Sequence, residues 1–149
     1  MKRRLNENQS LEFMKQLSLG RLGCILESGE PYVVPVYYLF KGENIYIHSM
    51  PGQKISAMEN NPRVCLQADM VENGGLEWES VIAFGEFEKV KDKEIKAAVM
   101  KEFYKRFPKF TPVEAVSDHQ NSFEQLVVFR LKITRTSGIM ETFAGSEVR

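Results

Sequence analysis

Short runs in which apolar and polar residues alternate make up most of the chain. Such alternation is typical of strands that bury one face, because successive side chains of a strand point to opposite sides. Residues 45–49 show it, with Ile45 and Ile47 on one face and Tyr46 and His48 on the other. The pattern predicts six strands, over residues 21–26, 31–39, 45–49, 63–69, 80–90 and 124–136. Short turns join the first three strands and therefore predict an antiparallel arrangement.

Helical spacing of apolar residues marks two or three segments between these strands. The predicted helices cover residues 10–19, 53–60 and 92–107. Asp92 is the predicted N-cap of the last one, which is the best defined. Its apolar stripe consists of Ile95, Val99 and Phe103. Residues 108–121 are predicted to form a loop, and the polar residues 137–149 a mobile tail. The whole chain, 1–149, is thus predicted to be a single mainly β (α+β) domain, an antiparallel barrel with helices at its rims.

Composition narrows the classes of function. The net charge is zero and the pI is about 6.8, so the chain lacks the positive field that binding to nucleic acids or anionic membranes requires. No apolar run is long enough to span a bilayer, and the basic start is followed by polar residues, so we expect a cytoplasmic protein. Cys24 and Cys65 lie in apolar runs without the neighbouring ligands of a metal site, and we expect buried side chains and no metal.

Two residues interrupt the predicted strands. Pro35 lies in the middle of the second strand, where proline cannot donate a hydrogen bond to a neighbouring strand. An edge strand or a bulge explains this position, and the alternative is that a ligand meets the backbone there. Gly85 lies inside the fifth strand and indicates a bulge or a close approach of another backbone segment.

The segment from His48 to Lys54 has the composition of an anion-binding turn. The strand ends at Ser49, Gly52 forms a turn, and Lys54 lies in the first turn of a predicted helix. Free N–H groups at a helix N-terminus, a hydroxyl and an ammonium group together suit a phosphate. Ordinary turn chemistry explains the same residues and, on these residues alone, is the favoured explanation. His48 has no partner that would indicate a catalytic triad, and a lone histidine is more often structural.

Four segments occur in an order and spacing that resemble a known family: PYVVPVYY, IYIHSMPGQK, MENNPRVCL and ESVIAFGEFEKV. The resemblance is to the FMN-binding proteins that include pyridoxamine 5′-phosphate oxidase, and most closely to their nitroimidazole-resistance (Nim-type) branch. It runs from Gly20 to Thr136, nearly the whole chain. It implies a six-stranded antiparallel FMN-binding split β-barrel that forms a homodimer, with two FMN sites at the subunit interface.

The resemblance also implies which residues contact the flavin. Its ring would lie along the backbone of Val34, Pro35, Val36 and Tyr37. Its ribityl chain and phosphate would lie along Ile47, His48 and Ser49, with Gln53 and Lys54 holding the phosphate. Family members often have a second basic residue where this chain has Gln53, so we expect weaker phosphate binding. Ser80, and with it Trp78, would approach the flavin, often from the partner subunit.

The function implied is that of an FMN-dependent oxidoreductase. It would pass electrons from a reduced nicotinamide to a small acceptor such as a nitro-aromatic, with His48 and Tyr37 as candidate proton donors. True pyridoxamine-phosphate oxidases end in a Trp- and Arg-containing segment that holds the substrate. This chain lacks that segment, so we do not expect that activity. The alternatives are a flavin-binding or sensor protein without turnover, and the same barrel with haem or a deazaflavin.

Overall fold

The structure is a computed structural model that describes residues 1–109 and 124–143. Its strands are β1 Lys2–Leu5, β2 Leu19–Ile25, β3 Pro31–Tyr37, β4 Leu39–Lys41, β5 Asn44–Ser49, β6 Arg63–Glu72, β7 Glu77–Lys89 and β8 Val127–Thr142. Its helices are α1 Glu7–Gln16, α2 Gln53–Asn60 and α3 Lys93–Arg106. The predicted mainly β class with peripheral helices is confirmed.

All strands belong to one antiparallel sheet that curls into a split barrel. The order is β3-β2-β6-β7-β8-β5-β4, with β1 added to the far half of β8. The strands at the two ends of this order, β3 and β4, are consecutive in the chain. β3 pairs with β2, and β4 pairs with β5. Tyr38 forms the bend between them. Its hydroxyl donates to the Met14 carbonyl (2.6 Å) and its N–H donates to the Ser18 carbonyl (2.9 Å).

Two apolar clusters lie on opposite sides of the sheet. The inner cluster fills the barrel and includes Phe13 and Met14 of α1 and Ile55 and Met58 of α2. The outer cluster lies under α3 and consists of Leu39, Tyr46, Val90, Val99, Met100, Phe103, Leu126 and Val128. The helices therefore have different tasks, because α1 and α2 complete the core and α3 covers one outer part of the sheet.

Within the described residues the sheet has eight strands rather than the six predicted. The predicted strand 31–39 is divided at Tyr38, whose side chain is fully buried and hydrogen-bonded to the end of α1. The N-terminal segment forms β1 because β8 is long enough to pair with it. Helix α1 begins earlier than the predicted residue 10, since Asn6 and Gln9 form a capping box.

The prediction of a mobile tail from residue 137 is corrected in its first part. β8 continues to Thr142 between β7 and β1, so Ile139 and Met140 are strand residues. Residues 144–149, and 110–121 of the predicted loop, lie outside the described residues. In α3, Asp92 is the N-cap as predicted, but Ile95 of the expected buried stripe is 39% exposed.

Gly85 lies at a shift of register between β7 and β8, which confirms the predicted irregularity. A side chain there would run into the Lys132 carbonyl, so the two backbones approach as closely as glycine allows. None of the helices in the described ranges has the length and apolar character needed to cross a membrane.

Candidate functional site

The barrel is split between the end of β3 and the end of β5. β4 pairs with β5 from Lys41 opposite Asn44 to Leu39 opposite Tyr46, and the pairing stops there. If the register between these two segments continued for two more residues, Tyr37 would lie opposite His48. Instead, among the strands that the structure describes, β3 pairs only with β2 and is an edge strand, with Pro35 opposite Arg21. The edge-strand explanation of Pro35 is therefore correct, and its free edge borders an opening in the barrel.

A cleft of about 200 Å³ occupies this split. β3 contributes one wall, β5 and α2 contribute His48 and Lys54, and α3 contributes two aromatic rings. The lining residues are Pro35, Val36, Tyr37, His48, Lys54, Phe103 and Phe107. Tyr37 and Phe107 contact each other with ring centroids 5.1 Å apart. The cleft is thus apolar and aromatic on most sides and cationic at one end.

The cationic end is formed by Lys54 and the first turn of α2. Within the described residues, no side chain caps this helix at Gly52, and none forms an ion pair with the Lys54 ammonium. Burial lowers the pKa of Lys54 below its ordinary value of 10.5, and the nearby Cys24 opposes this shift. A half-buried cation beside free backbone N–H groups is an arrangement that an anion would stabilise.

His48 lies in the same cleft on the outer side of β5. Its ring centroid is 4.7 Å from that of Phe103, and the ring planes are 85° apart. Burial, and to a smaller extent the positive charge of Lys54, lower the pKa of His48 below 6.5. The imidazole is therefore uncharged at neutral pH, and it can accept or donate a hydrogen bond in the cleft.

Of the residues predicted to form the site, five line the cleft together: Pro35, Val36, Tyr37, His48 and Lys54. Val34 is half-buried on the inner side of β3, and Gln53 is exposed at the start of α2. Ile47 is fully buried in the inner cluster, which leaves only its backbone for a ligand. The Ser49 hydroxyl donates to the Met50 carbonyl (3.0 Å).

Trp78 and Ser80 lie apart from this cleft on another part of the sheet. The Gln67 amide donates to the Ser80 hydroxyl (3.0 Å), and Trp78 borders a smaller cavity with Met70 and Met140. Both are on the outer face of β2, β3, β6 and β7, which we call the open face. Its residues are Arg21, Gly23, Val33, Pro35, Cys65, Gln67, Trp78, Ser80, Ile82 and Phe84.

The open face is partly exposed in the single chain: Arg21, Val33 and Pro35 are exposed, and its other residues are half-buried. In the part of the chain that the structure describes, none of its residues belongs to either apolar cluster, and Val33 is 66% exposed. A groove of about 530 Å³ crosses it past Gly23, Cys65 and Phe84. Since Pro35 belongs both to this face and to the cleft, the two surfaces are continuous.

Phe103 and Phe107 were not predicted as site residues. Phe103 was assigned to the buried stripe of α3, which is correct, but its ring also reaches the cleft. The sequence signal was a pair of aromatic residues four apart at the end of a helix, which share one helix face. Nothing in the sequence indicated that this face meets the split in the barrel.

A sequence model of the family described as pyridoxamine 5′-phosphate oxidase matches residues 6–140. The chain belongs to this family. The match covers the cleft, the first turn of α2 and the sheet, except for β1 and the last two residues of β8. It agrees with the resemblance found in the strand segments and with the split-barrel fold.

Solved structures are similar to most of the chain, and a curated relative is similar to about half of it. A solved FAD-binding protein from Mesorhizobium loti is 30% identical, with a TM-score of 0.79, over 95% of this chain and 99% of that one. A candidate 5-nitroimidazole antibiotic resistance protein from Bacteroides thetaiotaomicron is 19% identical, with a TM-score of 0.76, over 94% and 87%. An uncharacterized protein from Rhizobium meliloti is 41% identical over 73 residues, which are 48% of this chain and 46% of that protein.

Proposed function

We propose that this family member binds flavin mononucleotide in the cleft and is an oxidoreductase that passes electrons from a reduced nicotinamide to a small acceptor such as a nitro-aromatic. The observation that carries the proposal is the half-buried Lys54 ammonium, which has no acidic partner among the described residues and lies in the uncapped first turn of α2. The desolvation that lowers its pKa is a cost that a phosphate would offset.

The other walls of the cleft suit a flavin ring. Pro35, Val36, Tyr37 and Phe107 present apolar and aromatic surface next to the free edge of β3. A flat, largely apolar ring system can stack there while backbone groups of the edge strand hydrogen-bond to its polar rim. The relative from Mesorhizobium loti, described as FAD-binding, supports a flavin in this family.

We favour FMN over FAD as the ligand of this cleft. Of the residues described, Lys54 is the one cation that lines the cleft, and one helix N-terminus accompanies it. That equipment matches a single phosphate group. The adenylate half of FAD would extend beyond the cleft, where Gln53 offers an exposed amide instead of a second cation.

When bound, the flavin would supply the electron-transfer chemistry. The protein would bind and orient it, with Lys54 at the phosphate and the β3 backbone at the ring. His48 is uncharged at neutral pH and can exchange a proton through an imidazole nitrogen, and the Tyr37 hydroxyl can donate one. These two side chains are our candidates for proton transfer to the acceptor.

We further propose that the site is completed by a second copy of the chain on the open face. The cleft, at about 200 Å³, is smaller than the pockets of about 300–1,000 Å³ that usually enclose small ligands. The open face is continuous with the cleft, and apolar strand residues such as Val33 would lose water on association. A partner seated there would bring its own Trp78 and Ser80 toward this boundary.

The absorption spectrum of the purified protein tests the cofactor. We expect a flavin spectrum, or uptake of added FMN, and bleaching by NADH or NADPH with reoxidation by a nitro-aromatic. A flavin that no nicotinamide reduces would indicate a binding or sensor protein. A Soret band would indicate haem, and colourless protein that does not take up FMN would exclude the proposal.

The molecular mass of the protein in solution tests whether the chain forms a dimer. We expect Ile82→Glu, which puts a charge on the open face, to give monomers that have lost most of their FMN. Ile95→Glu on the exposed side of α3 is the matched control and should remain dimeric. A dimeric Ile82→Glu variant with full FMN would show that this face is not the interface.

A further inference from the structure

His48 packs against an aromatic ring on a different element. β5 carries it opposite Val128 of β8, and its side chain points to the outer side of the barrel. There the Phe103 ring lies at 4.7 Å between centroids with the planes 85° apart. This edge-to-face arrangement is one of the preferred geometries of aromatic pairs and is attractive.

Phe103 itself is held firmly. Its side chain has no exposed surface and lies in the outer cluster with Val99 and Met100. Its carbonyl accepts the N–H of Phe107 (2.7 Å), and the two rings are 6.0 Å apart. Phe103 is therefore a fixed part of the α3 packing, whereas His48 is only partly buried.

We propose that Phe103 is a positioning residue that fixes the His48 imidazole at the split in the barrel and excludes water from one side of it. The functional part of this inference rests on the proposed flavin site. In that proposed site, Lys54 is the cation that binds the phosphate, and His48 is a neutral hydrogen-bonding group.

The charged and titratable groups around the imidazole are consistent with this role. Lys54 of α2 and Tyr37 of β3 line the same cleft, and the Arg106 guanidinium of α3 lies 5.8 Å from the Phe107 ring. Two of these three groups are cations, and β8 presents the apolar Val128. Burial and the Lys54 charge lower the pKa of His48, so water entering beside the ring would move it back toward its ordinary value.

The test is an NMR titration of the histidine side chains in the full-length protein, first without and then with added FMN. The chain has two histidines, His48 and His119, and His48→Gln assigns the signals. In Phe103→Leu we expect the His48 midpoint to rise toward 6.5 and its signals to lose the ring-current shift of the wild type. Phe129→Leu removes an equally buried ring from the inner cluster and should leave His48 unchanged.

A His48 midpoint and shifts that are the same in Phe103→Leu as in the wild type would overturn the proposal. If Phe103→Leu does not fold, Phe103→Met offers a similar volume on an unbranched, flexible side chain that adapts better to the gap. The wild type alone also gives an answer, because a His48 ring without a ring-current shift is not against Phe103. The titration without FMN tests whether Phe103 positions His48, and the uptake of FMN tests the proposed function. Either proposal can therefore be refuted without the other.

Discussion

Replacing Lys54 by methionine should weaken FMN binding and stabilise the flavin-free protein at the same time. Methionine keeps the apolar stem of the side chain and removes the ammonium group. That group is partly desolvated in the cleft, and none of the acidic residues described pairs with it. Its charge is therefore a cost to the empty protein and a benefit to the complex with a phosphate.

Both effects have magnitudes that follow from the site. A charge-assisted hydrogen bond contributes about 1.5–3 kcal/mol, which corresponds to a loss of about 10- to 150-fold in FMN affinity. The gain in stability is smaller, about 0.5–1 kcal/mol, because Lys54 is only half-buried and water screens its charge. That gain corresponds to a rise in Tm of about 1–4 °C for a chain of this length.

Titration with FMN and with riboflavin separates the phosphate from the ring. Quenching of flavin fluorescence gives the Kd of each ligand. Lys54→Met should weaken the binding of FMN and leave the binding of riboflavin unchanged. Lys101→Met, an exposed substitution on α3, is the control and should alter neither. Equal weakening of both ligands, or no change in FMN affinity, would refute the assignment of Lys54 to the phosphate.

Four further predictions follow from other residues. Gln53→Arg adds a second cation to the first turn of α2 and should tighten FMN about 3- to 10-fold in the same titration, with riboflavin unchanged. Gly85→Ala forces a side chain against the Lys132 carbonyl and should cost about 1–3 kcal/mol in urea unfolding. Asp92→Ala removes the acceptor of two N–H groups of α3 (2.8 and 3.2 Å) and should cost about 1 kcal/mol in the same assay. Because the pKa of His48 is lowered in the folded state, unfolded chains take up the proton first as the pH falls. The free energy of unfolding therefore decreases as the pH drops from 6.5 through the folded pKa. His48→Gln should flatten this decrease in unfolding curves measured across that pH range.

The sequence predicted the elements whose signals are local. α2 has the predicted bounds because a Pro-Gly turn precedes it and Asn61-Pro62 follows it. Asp92 was found as a cap for a similar reason, since capping depends on the next three residues. β1 was missed because its residues, Lys2–Leu5, carry no alternation, and its pairing depends on the length of β8.

The residues that line the cleft from β3, β5 and α2 were predictable from the sequence, and those from α3 were not. The strand segments and Lys54 lie within one continuous stretch, so their order and spacing identified them. Phe103 and Phe107 reach the cleft only because α3 packs on the outer cluster, and that packing depends on Leu39, Tyr46 and Val128 from three different strands. A single sequence shows that α3 is amphipathic but not which surface its apolar side covers.

The position of the split in the barrel follows from the packing of Tyr38, whose side chain points to the inner side of the sheet, away from the split. Tyr38 binds the end of α1 on the inner side and turns the chain between β3 and β4. On the β3 side of this bend, Pro35 has no N–H to donate, so leaving that strand edge unpaired forfeits fewer hydrogen bonds than at another residue. On the β4 side, pairing with β5 resumes at Leu39. A proline and a buried tyrosine three residues apart thus open the barrel at one place, and the anion-binding turn of α2 lies beside that opening.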